Sequence, residues 1–409
     1  MTTTALTNAR LFDGVNSELR DGAFVLVEDG RIREIGDGMA PDADNVIDLG
    51  GRTLMPGLID CHVHLVATSA NLGVLEREPA TLTALKAREI AEAMLNRGFT
   101  SVRDAGGADR GLALATEQGL IAGPRVFYSG RALSQTGGHA DGRALVDGVE
   151  SCACCLSIVK FAHIADGVVE VRRAARAELR LGATQIKIMA SGGVASPSDP
   201  IWNLQYSEEE IRAAVWEATS WRTYVMAHAY TPEAISRCVR FGVRSIEHGN
   251  LIDAPTAALM AGHGAWLVPT LVTYDSLHRY GVEYGLPAVS AAKVDDVRLQ
   301  GLEALSLARQ AGVNIAFGTD LLGGMHKDQS REFVIRSEVQ TPLEILKSAT
   351  SDAARLLQRE GELGVVAEGA LADLIAVDGD PLADISLLDG QGEAIALVIK
   401  GGAVMRNAL

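Results

Sequence analysis

The sequence predicts an α/β protein: a (β/α)8 TIM barrel with a small β-sandwich domain built from both chain ends. Three observations carry that prediction. Eight short apolar strand candidates alternate with helical segments through the middle of the chain, and strands separated by helices imply a parallel sheet. Both termini read instead as small β-structure punctuated by turns. Polar residues recur where the apolar strands run out, the face on which such a barrel builds its site. The expected division is residues 1–55 plus 362–409 for the composite β-domain and 56–361 for the barrel.

At the N-terminal end, Phe24 to Val27 and Arg31 to Ile35 flank Glu28-Asp29-Gly30, and Asp-Gly between apolar runs is a strong hairpin signal. At the C-terminal end, Ala372 to Val377 leads into the turn Asp378-Gly379-Asp380-Pro381, and Ala394 to Lys400 and Ala403 to Arg406 flank Gly401-Gly402. Between them, the first barrel strand is carried by Leu54 to Leu65. It is followed by Phe99 to Asp104, Arg125 to Ser129, Thr184 to Met189, Thr223 to His228, Val243 to Glu247, Ala265 to Pro269 and Asn314 to Phe317. Helix starts are marked as well. Ser207-Glu208-Glu209-Glu210 reads as a capping box. Thr231-Pro232 and Thr341-Pro342 place a cap residue before a proline at the first helical position.

The 409 residues are 47% hydrophobic and 22% charged, enough for a large core and an accessory domain. The net charge of -15 argues against nucleic acid or an anionic membrane as partner, because both attract a cationic surface. No apolar run is long enough to span a bilayer and no signal peptide is visible, so a cytoplasmic location is expected. The five cysteines, Cys61, Cys152, Cys154, Cys155 and Cys238, are odd in number and do not form a disulfide framework. No second cysteine pair completes a metal cluster with Cys152, Cys154 and Cys155.

The chemistry starts at Asp60-Cys61-His62-Val63-His64. Residues two apart on a strand point the same way, so His62 and His64 project together as half of a metal site. A solvated strand is the plain alternative, but the preceding Pro-Gly-Leu-Ile-Asp reads as a turn into a buried strand. Lys187 lies in the middle of Thr-Gln-Ile-Lys-Ile-Met-Ala. A lone buried ammonium is costly unless it is paired or modified. The fifth strand ends at His228 and Tyr230, the sixth at His248 and the eighth at Asp320. Singly, each histidine could be a hydrogen-bonded structural residue and Asp320 a helix cap. Their joint occurrence on five strands of one barrel is what points to a metal centre.

With these residues the chain resembles the amidohydrolase superfamily, specifically its binuclear metal-dependent members. Pro56-Gly57-Leu58-Ile59-Asp60-Cys61-His62-Val63-His64 and the strand-end His228, His248 and Asp320 carry the resemblance. Gln185 to Gly193, His228-Ala229-Tyr230, Glu247-His248-Gly249 and Gly318-Thr319-Asp320 are similar to the prolidase-type dipeptidases, a group that includes ochratoxin-cleaving hydrolases. The resemblance implies two divalent metals, normally Zn2+, bridged by an N6-carboxylated Lys187. It implies that His62, His64 and Asp320 bind one metal and His228 and His248 the other. His139, in Thr136-Gly137-Gly138-His139, and Tyr230 match residues that contact substrate. A loop role for the glycine-flanked His139 stays open. His263 matches no residue of the family and is read as structural. Symmetric homo-oligomers, octamers included, are common in this group.

The activity implied is hydrolysis of the amide to the C-terminal amino acid of a dipeptide or N-acyl amino acid, with ochratoxin A among the candidates. Metals of this kind activate a water, Asp320 shuttles its proton to the leaving amine, and His139 or Tyr230 helps polarise the carbonyl. The rival within the fold is a cyclic amidohydrolase of the imidazolonepropionase kind or a deaminase, which commonly manage with one metal and lack the bridging lysine. A catalytically inactive barrel acting as a binding protein is the rival from another class, and the complete ligand set argues against it.

Overall fold

The computed structural model describes residues 2–75, 78–143, 161–196 and 199–409. Five strands precede the first helix-bearing unit: β1 (Thr3–Leu11), β2 (Arg20–Glu28), β3 (Arg31–Asp37), β4 (Asn45–Asp48) and β5 (Thr53–Pro56). The parallel strands follow: β6 (Leu58–Val63), β7 (Phe99–Asp104), β8 (Arg125–Tyr128), β9 (Ala132–Ser134), β10 (Ala162–Ile164), β11 (Ile186–Met189), β12 (Val225–Ala229), β13 (Ser245–His248), β14 (Trp266–Val268) and β15 (Asn314–Ile315). The chain ends with β16 (Leu374–Val377), β17 (Ile395–Lys400) and β18 (Ala403–Asn407).

Eight strands from the two ends form one mixed sheet, in the order β18-β17-β16-β5-β1-β2-β3 with β4 paired to β1. The sequence leads one to expect a sandwich; the observed pairing is a single continuous sheet. β1, which pairs with β2, β4 and β5, is not marked as a strand in the sequence because Thr3 to Leu11 mixes apolar residues with Thr, Asn and Arg. The two hairpin signals behave as their residues require. Asp29 and Gly30 have φ of 49° and 78°, and Gly401 and Gly402 have 55° and 79°, the left-handed pairs that match strand twist.

The remaining strands make a parallel sheet of seven, in the order β10-β9-β11-β12-β13-β14-β15, and a parallel sheet of three, β6-β7-β8. Backbone hydrogen bonds bridge both seams between them. Thr184 N–H donates to the Tyr128 carbonyl at 2.9 Å, and Cys61 N–H to the Phe317 carbonyl at 2.8 Å. All eight predicted strand positions are occupied, Phe99–Asp104 at both ends as expected and the others with ends shifted by up to four residues; β9 and β10 are additional. Ile186 and Ile188 are fully buried on the outward side of β11, in the core between the sheet and its helices. Each such side chain contributes roughly 1.5–3 kcal/mol. The capping signals are also realised: Ser207 and Glu210 form a reciprocal capping box, as do Thr341 and Glu344.

Among the described residues, no helix is long and apolar enough to cross a membrane. Cys61 and Cys238 are free and buried. Cys152, Cys154 and Cys155 lie outside the described residues.

Candidate metal centre

The C-terminal ends of the parallel strands converge on one cavity of about 690 Å³. That volume suits a small molecule or a dipeptide. All the site residues read from the sequence line it: His62, His64, His139, Lys187, His228, Tyr230, His248 and Asp320. Alternation along β11 explains why Lys187 is there. Ile186 and Ile188 face the helices, so Lys187 and Met189 face the cavity. His263, by contrast, caps the helix Ala254–Gly262 and is exposed, outside this cavity.

At the floor, Asp320 Oδ1 is 3.4 Å from His62 Nε2 and 3.2 Å from His64 Nε2, and Oδ2 is 3.9 Å from His248 Nδ1. His62, His248 and Asp320 each offer a ligand atom within 4.8 Å of the others. Burial opposes ionisation of Asp320, but His62, His64 and His248 hold its carboxyl well below the usual range. His228 lies beside this group, its ring 4.7 Å from that of His248, and His139 stacks on His228 at 4.2 Å.

Each histidine is oriented from behind. His62 Nδ1 is 2.7 Å from the Glu247 carboxylate, His64 Nδ1 2.8 Å from the Gly106 carbonyl and His228 Nε2 3.1 Å from the Gly192 carbonyl. These acceptors fix a proton on that nitrogen and leave the other nitrogen bare toward the cavity. His62 Nε2 is buried without a hydrogen-bond partner. An unsatisfied buried nitrogen is costly unless something binds it. The donor set of imidazoles and a carboxylate therefore fits a divalent cation.

Lys187 is buried in the same floor, and no side-chain hydrogen bond or ion pair reaches it among the described residues. Burial lowers its pKa to about 8, against the pull of Glu247 and Asp320. A substantial fraction of the amine is then neutral near pH 8.

The strand ends are also strained. His248, Thr270 and Asp320 have φ of 74°, 46° and 54°. Non-glycine residues in this region cost on the order of 1–3 kcal/mol each and cluster at functional sites.

Several supporting residues were not read from the sequence as such. Arg103 on β7 is fully buried and bonds Glu247 at 2.9 and 3.0 Å. Burial disfavours the Glu247 carboxylate, but Arg103 and His62 hold its pKa down to about 2. The signal was present in Phe-Thr-Ser-Val-Arg-Asp, a charge inside an apolar strand like Lys187. Breaking a buried pair costs about 3–5 kcal/mol because one charge is stranded. Arg103→Met is therefore expected to lower unfolding stability by that order, measured by urea titration. Arg103→Met combined with Glu247→Gln, which strands no charge, is expected to lose less; an equal loss in both would refute the pairing argument. Asp199 is a further example: its Oδ2 accepts from Gly193 N–H at 2.9 Å and meets His139 Nδ1 at 3.2 Å, orienting that ring.

Comparison with known proteins decides the family. The sequence pattern of the amidohydrolase family matches residues 53–404. The chain belongs to the amidohydrolase family. This amidohydrolase is 36% identical over 366 residues to an ochratoxinase of Aspergillus niger, covering 87% of this chain and 76% of that protein. The crystal structure of A. niger ochratoxinase superposes with a TM-score of 0.88 at 32% identity, over 99% of this chain and 96% of that one. A prolidase crystallised with N-methylphosphonate-L-proline is 52% identical, with a TM-score of 0.97 over 99% of this chain and 100% of that one. The amidohydrolase described here is a hydrolase acting on amide bonds. Metal dependence is general in the family, and the His/Asp group at the cavity floor suits it.

Proposed function

We propose that this amidohydrolase removes the C-terminal amino acid from dipeptides and N-acyl amino acids, in the manner of a prolidase-type carboxypeptidase, with ochratoxin A within its reach. The observation that carries this reading is the convergence of four strand-end histidines, Asp320 and Lys187 on the floor of one dipeptide-sized cavity. Likeness to a prolidase holding a proline derivative and to an ochratoxinase supports an amino acid as leaving group. The two parallel sheets are read as one closed (β/α)8 barrel over residues 56–361, with 1–55 and 362–409 as the accessory β-domain.

His62, His64 and Asp320 would hold one divalent metal, His228 and His248 a second, and a carboxylated Lys187 would bridge them. Zn2+ is the expected ion, since imidazole and carboxylate ligands suit it. Metals so held supply Lewis-acid polarisation and a nucleophilic hydroxide near neutral pH. The chain's own groups do the rest. Asp320, ionised and set among the imidazoles, takes the proton of the nucleophile and gives it to the departing amine. Tyr230 donates a hydrogen bond to a substrate oxygen, and His139, held by Asp199, flanks the same carbonyl. Leu72, Phe161, Val194 and Leu277 give the walls an apolar surface against which the substrate's side chains pack and exclude water.

Recognition of a free carboxylate beside the scissile amide is the testable core of the proposal. A panel of dipeptides and N-acyl amino acids, each made as acid and as C-terminal amide, is expected to show at least ~10-fold lower kcat/KM for the amides, the scale of one lost charged hydrogen bond. Equal rates on both forms would remove the carboxypeptidase reading while leaving amide hydrolysis intact.

A further inference from the structure

We infer that Thr270 and Tyr274 are positioning residues, forming with His248 a one-way hydrogen-bond chain that turns the Tyr230 hydroxyl proton into the cavity. The inference rests on the reading of Tyr230 as a substrate contact. It adds two residues from a different part of the chain and a direction for every proton between them.

The chain begins at His248, whose Nδ1 lies 2.8 Å from the Thr270 hydroxyl oxygen. An imidazole that keeps its Nε2 lone pair for the centre carries its proton on Nδ1. Thr270 must then accept from His248. Its own proton is left to donate onward, and the inferred chain assigns it to the Tyr274 oxygen, carried one turn along the helix that Thr270 opens. The Tyr274 oxygen, having accepted, donates its proton to Tyr230 across 2.8 Å. The backbone N–H of Val194 also acts on the Tyr230 oxygen. A phenolic oxygen that accepts twice has no further use for its lone pairs, so its remaining group is its own O–H. Both tyrosines line the cavity. The Tyr230 proton therefore faces the substrate.

Two further observations show that this arrangement is held rather than incidental. Thr270, Tyr230 and Tyr274 are no more than 2% exposed, so neither water nor rotation competes with these partners. Thr270 is also a β-branched residue at φ 46°, a conformation that is a genuine outlier for its type. It stands at the N-terminus of the helix Leu271–Tyr280, so the strained residue fixes both the acceptor for His248 and the helix that delivers Tyr274 one turn later.

A packing role for Tyr274 and a positioning role predict different results. Tyr274→Phe keeps the ring and removes only the donor to Tyr230. It is expected to lower kcat/KM on the best substrate of the panel by ~10-fold, chiefly through KM, with metal content unchanged. Tyr230→Phe is expected to be at least as impaired, and the double variant no worse than Tyr230→Phe alone, because residues acting through one group are not additive. A double variant whose loss is the product of the two single losses would overturn the inference while leaving Tyr230 as a substrate contact. Full activity of Tyr230→Phe would overturn both. A readout independent of turnover is the 13Cζ resonance of Tyr230 in substrate-free enzyme, which reports hydrogen bonds accepted by the phenolic oxygen. It is expected to move in Tyr274→Phe, and an unmoved signal counts against the chain. Thr270→Ala is expected to shift the same resonance, and Thr270→Ser, which restores the hydroxyl, to return it; no shift in Thr270→Ala would break the upstream half.

Discussion

Asp320→Asn is expected to lower kcat by roughly 10²–10⁴-fold, the usual span for general acid–base catalysis, with an unchanged circular dichroism spectrum. The side chain keeps its shape, so the strained backbone at φ 54° need not change. What is lost is a carboxylate that His62, His64 and His248 hold ionised against its burial. An amide oxygen beside the same imidazoles cannot take a proton from the nucleophile. The loss should appear in kcat more than in KM, because proton transfer belongs to the chemical step. Near-normal kcat in this variant would mean that another group moves the proton.

Lys187→Ala is expected to lose both bound metal and activity. Wild-type enzyme, saturated with divalent metal, should carry two ions per chain, the number that a bridging ligand serves. Lys187 is buried and faces the same floor as the histidines. As an ammonium it would be desolvated and would repel cations held there. Its pKa of about 8 leaves a free amine that carbon dioxide could modify, and the proposed carbamate would be an anion with two ligand oxygens. Because that group is a one-carbon carboxylate, acetate or propionate is expected to restore part of the activity of Lys187→Ala. Electron density continuous beyond Nζ and shaped like a carboxylate would agree. A metal stoichiometry of one in saturated wild-type enzyme, or full activity of Lys187→Ala, would end the bridging argument.

The spacing of apolar runs and helix caps determined the order of the parallel strands and their helices, and alternation along single strands determined which side chains share a face. That was sufficient to bring His62, His64, Lys187, His228, His248 and Asp320 to the C-terminal ends of the parallel strands, because all but the mid-strand Lys187 sit where an apolar strand stops. These are local properties with periods of two residues in strands and 3.6 in helices, and local properties are legible in a sequence. The sheet built from the two termini was legible only in part: β1 carries no clean alternation, and its position depends on pairing with β2, β4 and β5. The supports of the site were decided by tertiary structure alone. Arg103 and Glu247 are 144 residues apart, Tyr230 and Tyr274 are 44 apart, and His139 and Asp199 are 60 apart. No periodicity links such pairs. They meet because strands, a helix and loops distant in sequence converge in the interior, and burial then makes each meeting obligatory, since a polar group left alone there would cost more than the bond it finds.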